Sequence, residues 1–160
     1  MSIVKPEKPE LLAPAGNLNC ALAAYNSGAD AVYAGVSRFN AREMGENFSW
    51  DDMSRLSAYS KKLNRRFYLT LNTLVKENEL EDFGDSVSRI AELAPDAVIV
   101  QDIGVIRFLR EYFPKLTIHA STQMGIHNSA GVRAYEEAVL ELNDALTTEY
   151  VPDHIFLASG

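Results

Sequence analysis

Short apolar runs alternate with helix-patterned stretches from Glu10 to Ala120, and this rhythm constrains the fold more than any other feature of the chain. The runs are Glu10–Gly16, Ala29–Gly35, Phe67–Asn72, Asp96–Val100 and Leu116–Ala120. Each has the length of a strand and is bounded by Gly, Pro, Asn or Asp. Between the first two, Asn17 is placed to cap a helix that carries Cys20, Ala21, Ala24 and Tyr25 at helical spacing and stops at Gly28. Ser49 is placed to cap a second helix, from Trp50 to about Asn64, with Asp51 and Asp52 in the first turn where the helix dipole favours anions. Further helices are expected from Glu79 to about Leu93, from Gly104 to Phe113, and from about Ser129 to Leu142. His154–Ala158 would supply a sixth strand.

Strict alternation with near-continuous apolar strands predicts an α/β fold: a parallel sheet built of (β/α) units and covered by helices on at least one face. The strand opening Ala29-Asp30-Ala31-Val32 is echoed by Pro95-Asp96-Ala97-Val98. An Asp before an apolar strand is ordinary turn chemistry, and it also fits stacked units of one design.

At 160 residues and 47% hydrophobic content the chain suits one globular domain with a real core rather than a disordered segment. Its 22 acidic residues against 15 basic ones argue against a strong generic nucleic-acid binder, which needs a basic surface. One cysteine, Cys20, forms no internal disulfide and cannot supply a four-thiolate iron–sulfur cluster. Early in an amphipathic helix, and with no basic neighbour, it is expected to be a small buried hydrophobe. The start, with Pro6 and Pro9, lacks the apolar core of a signal peptide, and no stretch approaches a membrane span. The expectation is a cytoplasmic protein without membrane contact.

Parallel sheets bind ligands beyond the carboxyl ends of their strands. Those ends here read Pro14-Ala15-Gly16-Asn17, Phe39-Asn40-Ala41-Arg42, Asn72-Thr73, Gln101-Asp102 and His119-Ala120-Ser121-Thr122-Gln123. Polar groups are costly to bury unless paired, so aliphatic strands that end abruptly in them point to a ligand pocket. The candidates for orienting a ligand are Asn40, Arg42, Asn72, Gln101, Asp102, His119, Ser121 and Gln123. Arg42 has the planar fork that suits a carboxylate or phosphate. Ser121 and Asp102 could instead cap the helices that follow them. His119, Ser121 and Asp102 invite a Ser-His-Asp reading, but no Gly-x-Ser-x-Gly elbow exposes the serine. His119 and His127 match no zinc signature, and neither a Walker-type nor a Gly-x-Gly-x-x-Gly loop occurs. No metal is assigned, and no nucleophile.

Five motifs in order, ELLAPAG (Glu10–Gly16), GADAVYAG (Gly28–Gly35), LTLNT (Leu69–Thr73), DAVIVQDIG (Asp96–Gly104) and IHASTQMGIHN (Ile118–Asn128), resemble the collagenase-like peptidase family, proteases of no assigned catalytic type. The resemblance implies a TIM-barrel-like domain of which this chain supplies the first five or six strands. It implies two chemistries, peptide hydrolysis or the oxygen-independent hydroxylation of RNA or ubiquinone precursors. The strand ends look most like the branch that modifies ribosomal RNA. Hydroxylating relatives carry a cysteine-ligated iron–sulfur cluster; their cluster cysteines are absent here, Cys20 matches none of them, and no cofactor is expected in this chain.

The resulting domain reading is a lead-in over residues 1–9, a partial (β/α) barrel over 10–138, and a divergent tail over 139–160. A closed eight-stranded barrel takes about 250 residues, with 200 as a usual lower bound, so these strands do not close one alone. Two functions follow. The chain is a short peptidase-family enzyme acting on peptide or RNA, or it is a fragment or remnant of an RNA-hydroxylation protein. The second would be inactive alone, or completed by a second copy or another chain through an open sheet edge.

Overall fold

The protein is described by a computed structural model over residues 9–35, 38–40 and 48–135. Five strands alternate with helices: β1 (Leu12–Pro14), α1 (Leu18–Asn26), β2 (Ala31–Gly35), α2 (Trp50–Lys62), β3 (Arg66–Leu71), α3 (Leu80–Leu93), β4 (Ala97–Val100), α4 (Ile103–Tyr112) and β5 (Ile118–Ala120). Residues 129–135 are helical as well. The strands form one sheet in the order β1-β2-β3-β4-β5, every pair parallel. This is the sequential order that repeated (β/α) units produce when each crossover returns beside its predecessor.

The helix boundaries follow local chemistry. Asn17 Oδ1 accepts the Cys20 N–H at 2.9 Å, and Ser49 Oγ accepts the Asp52 N–H at 3.1 Å, so both expected caps are in place. A single 3-10 turn, Glu77–Glu79, precedes α3, and Glu79 Oε2 accepts the Lys76 N–H at 3.0 Å. Helix α3 ends at Ala94, which sits in the left-handed region at φ 48°, ψ 62°. A Cβ is disfavoured there by about 1–2 kcal/mol relative to glycine.

Register is set at the amino ends of the strands, and the repeated Asp is the means. Asp30 N–H donates to Leu11 O at 2.9 Å while Asp30 Oδ2 accepts the Leu11 N–H at 3.0 Å. Asp96 repeats the arrangement between β3 and β4: its N–H donates to Phe67 O at 2.9 Å and its Oδ2 accepts the Phe67 N–H at 2.8 Å. Each Asp therefore closes a two-bond ring with the preceding strand, and the sequence echo is a strand clamp. Arg65 adds an ion pair to Asp30 at 2.5 Å.

The two faces of the sheet differ because side chains alternate along each strand. Val32, Ala34, Phe67, Leu69, Leu71, Val98 and Val100 lie on the face covered by helices. There they meet Ala21 and Tyr25 of α1, Met53 and Leu56 of α2, Phe83, Val87 and Ile90 of α3, and Val105, Ile106 and Leu109 of α4. Phe83 anchors this layer, with ring contacts to Phe39 at 5.2 Å and Phe108 at 5.5 Å. The opposite face carries a smaller cluster of Ala31, Tyr68 and Ala97, bordered by Leu12, Tyr33 and Ile99.

One expectation is overturned. Cys20 is exposed, because the face that α1 buries runs through Ala21 and Tyr25, and Cys20 lies on the flank away from it. The end strands are shorter than their apolar runs, three residues each. The sixth strand at His154–Ala158, the end of the last helix, the lead-in over residues 1–8 and the tail over 139–160 lie outside the described residues. No helix among the described residues is long and apolar enough to cross a membrane.

Two substitutions test the account. Ala94→Gly is expected to raise stability by about 0.5–1 kcal/mol, read as a rise in thermal midpoint of about 2–4 °C, because glycine adopts the left-handed cap without strain. Asp96→Ala is expected to lower stability by about 1 kcal/mol in urea unfolding, and Asp96→Asn, which keeps an acceptor, to lose less.

Candidate functional site at the strand carboxyl ends

The register places Gly35, Thr70, Ile99 and His119 in one row across β2 to β5. Alternation puts this row on the face opposite the helices, and the next position on that face of β3, β4 and β5 falls at Asn72, Gln101 and Ser121. Three candidate residues from separate strand ends therefore share one edge of one face. His119 confirms the facing, since its ring packs edge-on against Tyr68 with centroids 4.9 Å apart.

Gln123 closes the rim. Asn72 Nδ2 donates to Gln123 Oε1 at 2.8 Å, and Ser121 Oγ donates to the same oxygen at 3.3 Å. The Asn72 contact joins the ends of β3 and β5 across the end of β4. Ser121 Oγ also accepts the Gln123 N–H at 3.2 Å, so it caps the 3-10 turn Thr122–Met124 while holding the side chain of the same residue.

Asn40 reaches this face from the loop after β2. It is 3% exposed, and its side chain lies directly over Gly35. A Cβ on Gly35 would stand 2.6 Å from Asn40 Cγ and 2.8 Å from Thr70 Oγ1, so only glycine permits the approach. Thr70 Oγ1 donates to Ala34 O at 3.3 Å beneath it. Phe39, just before, holds a positive φ of 63° and turns its ring onto Phe83, which fixes where Asn40 enters.

Asp102 is used differently. Its Oδ1 accepts the Gly104 N–H at 2.8 Å and its Oδ2 the Val75 N–H at 3.2 Å. It caps α4 and fastens the β3–α3 loop, so both carboxylate oxygens serve backbone. With Ser121 bonded to Gln123 and His119 against Tyr68, the three residues do not assemble into a nucleophilic triad. Among the described residues, no group of three or more His, Cys, Asp or Glu is placed to hold a metal. Arg42 lies outside the described residues.

Sequence reading missed the lower part of this face. Tyr68 Oη bonds Glu10 Oε1 at 2.8 Å, and Arg66 Nη1 pairs with Glu10 Oε2 at 3.0 Å. The signal was available: Arg66, Tyr68, Thr70 and Asn72 alternate with Phe67, Leu69 and Leu71. Burial pushes the Tyr68 phenol up to about 12, with the Arg66 bond opposing and the Glu10 carboxylate adding to the rise.

Gly35→Ala is expected to displace Asn40 and Thr70 and to cost about 1–3 kcal/mol, visible as a lowered thermal midpoint. The Tyr68 phenol has its higher pKa in the folded state, so its contribution is complete below its ordinary 10.0 and is lost as pH rises through about 12. Stability measured over that window should fall more gently in Tyr68→Phe than in the parent.

The arrangement has known counterparts. A solved U32 peptidase superposes with a TM-score of 0.64 over 86% of this chain and 58% of its own, at 9% identity, which bears on the fold alone. The tRNA hydroxylation protein P of Escherichia coli (strain K12) is 35% identical over 130 residues, 81% of this chain and 29% of that protein. An uncharacterized protease of Methanocaldococcus jannaschii is 35% identical over 128 residues, 80% of this chain and 31% of its own. The collagenase of Porphyromonas gingivalis is 27% identical over 127 residues, 79% of this chain and 30% of its own. The chain thus spans about a third of the length of these curated relatives. The model for Peptidase family U32 matches residues 16–142, and the chain belongs to that family.

Proposed function

We infer that this chain forms the ligand-binding strand ends of an RNA-hydroxylation protein rather than of a peptidase. The reading rests on the 35% identity to a tRNA hydroxylation protein taken together with the chemistry of the rim, because an uncharacterized protease is equally similar. The rim agrees in chemistry. Its carboxamides and hydroxyl, on Asn40, Asn72, Gln101, Ser121 and Gln123, suit holding a neutral polar group such as a base, and no activated nucleophile stands among them. Asn40, Gln101 and His119 would orient the ligand directly and Asn72 through Gln123, with Arg42 meeting an anionic part of it.

A chain of net charge −7 is poorly suited to grip RNA by its phosphates, so most of the affinity for RNA would come from sequence beyond these residues or from a partner. The free side of β5, which pairs only with β4 among the described strands, is where a completing segment or a second copy would continue the ladder. One cysteine does not fit an iron–sulfur cluster, and no step is assigned to one here. Cellular RNA as substrate implies a cytoplasmic site of action.

Peptidase activity is the second reading, favoured by the collagenase and protease names of two relatives. A chimera separates the two. The matching stretch of the Escherichia coli tRNA hydroxylation protein P is replaced by this chain's residues and expressed in cells lacking that protein. Hydroxylated tRNA nucleosides are measured by mass spectrometry and gelatin cleavage in parallel. The expected result is restored hydroxylation without gelatin cleavage, reduced about tenfold by Asn72→Ala. A folded chimera that cleaves gelatin and leaves tRNA unmodified overturns the proposal.

A further inference from the structure

The rim also specifies which polarity of group it reads, a step that rests on the proposed ligand site at the strand ends. Gln123 Oε1 receives two hydrogen bonds, from Asn72 Nδ2 at 2.8 Å and from Ser121 Oγ at 3.3 Å. A carbonyl oxygen has two acceptor positions, so both are taken. Ser121 Oγ already accepts the Gln123 N–H at 3.2 Å, which leaves its proton to donate, and Gln123 Oε1 is the acceptor it reaches. The carboxamide is thereby oriented from two separate strand ends, with its Nε2 group turned away from these partners on an exposed residue.

We propose that Gln123 is a donor-only contact that recognises a neutral acceptor on the ligand, a carbonyl oxygen or an unprotonated ring nitrogen. Asn72 and Ser121 are positioning residues that act through it. Two exposed apolar side chains favour a neutral ligand over an anion. Leu74, on the β3–α3 loop, is 73% exposed, and Ile103, the first residue of α4, is 48% exposed; the Val75–Asp102 bond ties these two segments together. They offer apolar ground just past the ends of β3 and β4, as pockets for neutral ring or amide groups do. A base carbonyl and a peptide carbonyl share this chemistry.

The test is titration of the nitrogen-15-labelled chain, following side-chain amide resonances, with uridine, with N-acetylglycine methylamide and with inorganic phosphate. The expected result is a shift of the Gln123 Nε2 signal with a carbonyl probe; uridine moving it identifies a base as the source, the acetylated amide a peptide. Asn72→Asp makes that position an acceptor only, so Gln123 must turn over to donate to it and present its oxygen outward. Affinity for the carbonyl probe should then fall about tenfold, in a variant whose backbone spectrum stays dispersed. Asn72→Gln, which keeps the donor, should retain more binding than Asn72→Asp. If the signals of Asn40, Asn72 and Gln101 move while Gln123 stays still, or Gln123 answers to phosphate alone, this inference is wrong and the rim site stands. If no rim signal moves with any probe, the proposed site fails as well.

Discussion

Parallel strands leave no hairpin to fix their alignment, so each pair must be locked by contacts between segments distant in sequence. Asp30 does this for β1 and β2, and Asp96 for β3 and β4. Each aspartate gives its N–H to the strand before it and takes that strand's N–H in return. A slip of one residue would turn Phe67, Leu69 and Leu71 away from the helices and bring Tyr68 and Thr70 into the apolar layer. Every later feature, from the packing around Phe83 to the row of polar groups at the rim, depends on that alignment.

With the register set, the face away from the helices is ordered along the strand direction. An ionic group of Glu10 and Arg66 lies at the amino end, the Tyr68 and His119 rings follow, and amides and hydroxyls crown the carboxyl end. The same few residues shape the scaffold and the rim. Ser121 caps a turn and holds Gln123, while Asp102 is spent on backbone and steadies the loop beside Asn72. Capping and ligand presentation are therefore compatible for Ser121, whose hydroxyl both accepts and donates. They compete for Asp102, whose carboxylate only accepts.

The order of elements was legible because each strand is a short apolar run and each helix carries its own cap, as at Asn17 and Ser49. The rim was legible as a set, since Asn72, Gln101 and Ser121 follow apolar runs at equivalent places. What was not legible depended on direction. Cys20 sits among helical apolar residues, yet the stripe that α1 buries passes through Ala21 and Tyr25 and leaves the thiol outside. In β3 the polar alternation of Arg66, Tyr68 and Thr70 is hidden by two residues, Tyr68 and Thr70, that are buried despite their hydroxyls. Asp102 reads like a ligand group in a sequence, and only the positions of Val75 and Gly104 show what it serves.

The outward placement of Cys20 has a practical consequence. A lone surface thiol oxidises in air to join two molecules covalently, so a dimer band that vanishes with reductant reports this thiol rather than pairing through the sheet edge. The same thiol lies in the first turn of α1 and accepts a maleimide dye without any engineered cysteine. It thus offers a fluorescent reporter of unfolding on the unaltered polypeptide.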